Sequence, residues 1–112
     1  MAIIKNMEAE KVVTLAEEVA AQPGQVVSKT LAQNDAVSVT LFAFAQGEAI
    51  AAHDSEGDAF VQVLEGTGRF TVGGTDHEVH AGEALIMPAK IKHALYAPEA
   101  FKMLLTVIFP EK

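Results

Sequence analysis

From Gln25 to Phe109 the chain is a series of short apolar runs separated by Gly, Asn, Asp and Pro. Residues 25–32 and 36–46 flank Gln33-Asn34-Asp35, and an Asn-Asp pair between two apolar runs is turn chemistry, so these runs read as a hairpin. Residues 59–65 end at Gly66. Residues 69–72 alternate and end at Gly73-Gly74, residues 77–80 lead into Gly82, and runs at 84–88, 93–97 and 101–109 follow. Short runs at near-regular spacing with turn residues between them predict an all-β antiparallel sandwich or barrel. In the last run Met103, Leu105, Val107 and Phe109 share one face, and its direction is left open by the pattern.

Residues 8–24 break the pattern. Val12, Leu15, Ala16 and Val19 recur at helical spacing and Pro23-Gly24 makes a stop, which predicts a helix over residues 8–22. A short strand at Val12-Val13 followed by a turn is the competing reading. The expected organisation is an arm, residues 1–24, packed outside a barrel domain of residues 25–112.

Composition narrows the picture. The chain has 112 residues, half of them hydrophobic, which fits one domain with a filled core. It has no cysteine, so disulfides and thiolate chemistry are excluded. The formal net charge is −7 and the eight basic residues are scattered, which leaves no positive face for nucleic acid. No apolar run approaches the roughly 18–20 residues of a membrane span, and the first residues lack the apolar core of a signal peptide. The expectation is a soluble cytoplasmic protein that partners neither nucleic acid nor membrane. A phosphate-cradling Gly-rich loop and a Gly-x-Ser-x-Gly nucleophile setting are both missing.

The spacing of Gly47, His53 and Gly66, followed by Gly82, Pro88 and His93, resembles the two short motifs of the cupins. The resemblance spans roughly residues 25–109 and implies a cupin-type antiparallel double-stranded β-helix, or jelly-roll barrel. Ser55 and Ala59 stand where the first motif has a second histidine and a glutamate. Lys90 and Ala97 stand where the second has glycine and asparagine.

Metal-binding cupins hold Fe, Mn, Ni or Zn with two histidines and a carboxylate of the first motif and the histidine of the second. The resemblance therefore implies a divalent-metal site here at His53 and His93, both pointing into the barrel, with weak binding because two donors are replaced. A third donor would come from outside the motif, from Asp54, Glu56 or Asp58. Asp58 adjoins the vacated position, although alternation turns it away from the face of Ala59. If Ala59 faces inward, so do Val61 and Val63, so the expected ligand pocket is His53, Ala59, Val61, Val63 and His93, apolar with two imidazoles and suited to a small organic molecule. His77 and His80 are expected to be exposed, on opposite faces of their strand. Two functions follow: a barrel that binds a small molecule, and a metal-dependent dioxygenase, isomerase or decarboxylase acting on a small carbonyl or aromatic compound. Residues 59–65 are apolar on both faces, which calls for a cover on the second face and predicts a homodimer.

Overall fold

The computed structural model describes residues 3–111. The strands are β1 (Val26–Gln33), β2 (Val37–Phe44), β3 (Ala49–His53), β4 (Asp58–Glu65), β5 (Thr67–Val72), β6 (Thr75–His80), β7 (Ala84–Met87), β8 (His93–Tyr96) and β9 (Phe101–Ile108). They form two sheets, in the orders β1-β2-β9-β4-β7 and β3-β8-β5-β6, every pair antiparallel. Folded face to face, the sheets make a jelly-roll barrel. Among the described residues no helix is long and apolar enough to cross a membrane.

The Asn-Asp turn joins β1 to β2 as the sequence implies. Asn34 Oδ1 accepts the amides of Ala36 at 2.8 Å and Val37 at 3.0 Å, so the side chain supplies the bonds that reverse the chain. Farther on, the long run from Ala36 is interrupted: β2 ends at Phe44, and a separate strand, β3, carries His53.

The barrel interior is filled by packed aromatics at one end. Phe44 and Phe101 stack with ring centroids 4.6 Å apart, and Phe70 meets Phe101 edge-on at 6.0 Å. Gly68 is needed there, because a Cβ would lie 2.7 Å from the Phe101 ring and 2.8 Å from that of Phe70. Toward the other end, where β2 starts and β9 finishes, Phe42, Ile50, Val72, Leu105 and Val107 pack against the same core but are only partly buried. The interior is thus closed at its aromatic end and less fully covered at the other, in the manner of a shallow bowl. The phase of the last strand is settled as well: Met103, Leu105 and Val107 face inward, while Leu104 joins the cluster outside.

That outer cluster is built by the arm. Met7, Leu15, Val19 and Ala21 pack on Leu31, Leu41, Ala43, Val39, Leu64 and Leu104 across the outer face of the larger sheet. Lys102 Nζ donates to the Ala16 carbonyl at 2.6 Å, and Lys29 pairs with Glu18 at 3.2 Å. In place of a helix over 8–22, the arm has one 3-10 turn, Leu15–Glu17, whose leading Thr14 makes no side-chain cap. Val12, Val13 and Thr14 are β-branched and disfavour helix, and an extended path reaches more of the sheet than a compact helix does. The cover that residues 59–65 call for is therefore supplied in part by the arm, at Leu64. Phe60 remains 40% exposed.

Candidate functional site

The two motif histidines meet at the mouth of the bowl. His53 ends β3, His93 begins β8, and the two are cross-strand partners. Ile50 faces the core, and strict alternation from it would turn position 53 outward. The register of β3 against β8 shifts between Ile50 and His53, and this irregularity brings His53 onto the same side as His93. The rings lie 4.4 Å apart between centroids at an interplanar angle of 68°. His93 is buried and His53 is exposed, so the pair spans the bowl's boundary with solvent.

Each ring is oriented by a backbone carbonyl two residues before it. His53 Nδ1 lies 3.0 Å from the Ala51 carbonyl, and His93 Nδ1 lies 3.2 Å from the Ile91 carbonyl. A carbonyl only accepts, so each Nδ1 is the donor, and Nε2 is the nitrogen of each ring left for another partner. The pKa of His93 lies below the ordinary imidazole value, chiefly because burial disfavours the charged ring and secondarily because His53 is beside it. The bond to Ile91 and the nearby Asp54 carboxylate act in the opposite direction.

The other expected ligands have other partners. Ser55 Oγ donates to the Gly57 carbonyl and accepts the Gly57 amide, both at 3.0 Å, closing a tight loop. Gly57 has no room for a side chain, since a Cβ would strike the Ile108 carbonyl. Asp58 Oδ1 accepts the Ala89 amide at 2.8 Å, which fastens the start of β4 to the loop before β8. Lys90, at the family's glycine position, has φ +65° and donates its amide to the Ser55 carbonyl at 2.8 Å. The two loops flanking the histidines are thus tied to each other through Ser55 and Asp58.

Among the described residues no three His, Cys, Asp or Glu side chains group closely enough to hold a metal ion. Two imidazoles fall short of the three protein ligands of a typical catalytic metal centre. The donor set does not fit a closed metal site.

Ala59, Val61 and Val63 do face inward, but they are buried in the packed core together with Met87 and Met103. The accessible wall of the bowl lies on the other strands, at Phe42, Ile50, Val72, Leu105 and Val107. The sequence left the direction of Leu105 and Val107 open and did not single out Phe42, Ile50 or Val72. A separate cleft of about 320 Å³ lies outside the bowl at the same end of the barrel, lined by Gln33, Asn34, Asp35, Glu56, Phe109 and Pro110 and containing neither histidine. His80 is exposed, with Nδ1 2.8 Å from Thr67 Oγ1. His77, expected to be exposed, is half-buried, because it shares the register and face of the buried Phe70.

A jelly-roll barrel with paired imidazoles at one end, carried on adjacent strands β3 and β8, is a cupin-type barrel. Residues 40–109 match the cupin domain family, and the chain belongs to that family. A conserved protein of unknown function from Streptococcus pyogenes is 42% identical, with a TM-score of 0.97 over 100% of this chain and 98% of that one. A cupin superfamily protein from Desulfitobacterium hafniense is 32% identical, with a TM-score of 0.92 over 97% of this chain and 100% of that one. A cupin 2 conserved barrel domain protein from Leptotrichia buccalis is 40% identical with a TM-score of 0.82, the match covering 83% of this chain and 45% of that one. No protein with a curated description matches the chain.

Proposed function

We propose that the protein binds a small organic molecule in the bowl, through the Nε2 atoms of His53 and His93, and that it works as a homodimer. The observation that carries the ligand reading is the pair of imidazoles at 4.4 Å, each with its Nδ1 occupied by a backbone carbonyl. Two lone pairs at the rim of an apolar bowl favour a ligand with hydrogen-bond donors on one edge and an apolar body. A thermal-shift screen of small molecules against the wild type and a His53→Ala, His93→Ala double variant tests this. Hits that stabilise only the wild type support it, and hits that stabilise both proteins equally overturn it.

The second reading is a metal-dependent enzyme, favoured by the convergence of the two histidines. It requires further donors, and the resemblance points to positions 55 and 59 for them. Elemental analysis of protein purified without chelator, together with titration of Mn, Fe, Ni or Zn, separates the two readings. Stoichiometric metal with tight binding favours the enzyme. Weak binding that strengthens in a Ser55→His, Ala59→Glu variant favours a barrel that keeps the geometry and has lost the donors.

A further inference from the structure

Outside the bowl, the cleft of about 320 Å³ is lined by Gln33, Asn34, Asp35, Glu56, Phe109 and Pro110. Three separate segments build it: the turn between β1 and β2, the loop between β3 and β4, and the chain just after β9. Each is fixed by bonds of its own. Asn34 Oδ1 holds the turn through the amides of Ala36 and Val37. Ser55 Oγ closes the loop on Gly57, and Gly57 lies so close to the Ile108 backbone that no Cβ fits between them. The Phe109 amide donates to the Ala36 carbonyl at 3.0 Å, which ties the chain end back to the turn. The walls are thus set before a ligand arrives, and a preformed hollow of this volume takes a small organic molecule.

The lining has a one-sided chemistry. Phe109, half-buried, and Pro110 supply apolar surface, and of the six residues Asp35 and Glu56 alone are charged. Among the described residues these two carboxylates make neither an ion pair nor a side-chain hydrogen bond. Asp58 nearby differs, since its Oδ1 accepts the Ala89 amide. Two adjoining hollows share Phe109 and Pro110 and bring Glu111 and Asp58 to either side, and no lysine or arginine lines any of the three. An anion is repelled from such a place. An uncharged apolar molecule would take water from two carboxylates and give nothing back. A cation is drawn in, and an aromatic ring beside the carboxylates adds to the attraction, because its face is electron-rich.

We infer that this cleft is a second binding site, selective for a small organic ammonium ion with an apolar body. The ammonium N–H groups donate to Asp35 and Glu56, and the body lies against Phe109 and Pro110. His53 and His93 take no part, so this site stands or falls apart from the ligand proposed for the bowl.

The test is an amide NMR titration of the whole chain with phenethylammonium, using phenethyl alcohol and phenylacetate as its uncharged and anionic counterparts. The ammonium ion is expected to shift the amides of Asp35, Gly57 and Phe109 saturably and to bind more tightly than the alcohol, with the carboxylate weakest. Asp35→Asn and Glu56→Gln should each weaken the ammonium ion roughly two- to fivefold, the range for a solvent-exposed ion pair, and leave the alcohol unchanged. Phe109→Leu keeps an apolar wall and removes the ring, and should weaken the ammonium ion by a similar factor. Glu99→Gln, just before the opposite end of β9, should change nothing. Equal affinity for the ammonium ion and the alcohol, or a loss from Glu99→Gln as large as that from Glu56→Gln, would overturn the charge selection. No saturable shift at the three amides would remove the site.

Discussion

At the scale of single residues, two positions carry measurable consequences. His93 is neutral in the folded protein under conditions where an unfolded histidine, with an ordinary pKa of about 6.5, would be taking up a proton. The folded pKa is the lower one, so the unfolded chain binds more protons as pH falls. Stability is then fully present above about pH 6.5 and is lost as pH drops through the depressed folded value. Urea melts at pH 7.5 and 5.5 should show the wild type losing midpoint on acidification, and His93→Gln losing less. Equal losses would mean that other groups dominate. Lys90 is the second position. Its φ of +65° lies in the left-handed region, where a side chain costs about 1–2 kcal/mol and glycine costs little. Lys90→Gly keeps the amide bond to Ser55 and gives back some backbone entropy to the unfolded state, so a net gain of about 0.5–1 kcal/mol is expected, read as a higher melting temperature. The family's preference for glycine at this turn thus has a backbone reason that Lys90 meets under strain.

At the scale of elements, the arm offers a sharp test. An extended arm buries Val19 and leaves Val12 99% exposed, whereas a helix would place these two residues, seven apart, on one buried face. Val19→Ala should cost about 1–2 kcal/mol and Val12→Ala nearly nothing. Comparable losses in the two thermal melts would restore the helix. The arm also explains what the sequence hid. The alternation of β2 was visible, with Val37, Val39, Leu41 and Ala43 on one side and Ser38, Thr40, Phe42 and Phe44 on the other. The usual rule sends the apolar set inward. Here the arm covers the outer face, so the apolar set goes out and the hydroxyls go in. The turns at Asn34, Gly66 and Gly82 were legible because turn chemistry is local. So was the partnership of His53 with His93, through motif spacing. The irregularity that re-aims His53 was not, since a one-residue slip in phase leaves no mark in the pattern of residue types. The wall of β4 was placed inside correctly, but burial depth along a barrel depends on which strands open to the mouth, which the periodicity of one strand does not encode.

At the scale of the whole molecule, the part of the larger sheet that the arm leaves bare is the expected homodimer surface. Phe60 pairs with Ile86 across β4 and β7, and Ile86 and Ile108 are each 59% exposed. Asp58, the cross-strand partner of Ile108, borders this patch, whereas β7 itself, Ala84–Met87, carries no charge although it ends its sheet. Edge strands are normally guarded by charge, proline or shortness against pairing with another chain. β7 has four residues with Pro88 directly after them, so it is the exposed apolar face beside it, rather than the strand edge, that invites a second copy. The charges flanking β7 complement themselves: Glu83 precedes it and Lys90 follows it, so an antiparallel two-fold arrangement sets the acid of one copy toward the base of the other. Light scattering at micromolar concentration should give the mass of two chains, and Ile86→Lys should give one chain while leaving the melting profile of the barrel in place. Glu83→Lys should weaken the dimer and Lys90→Glu added to it should restore it. A wild type that scatters as a single chain would remove the homodimer. A dimer indifferent to Ile86→Lys and to both charge changes would place the interface on another face.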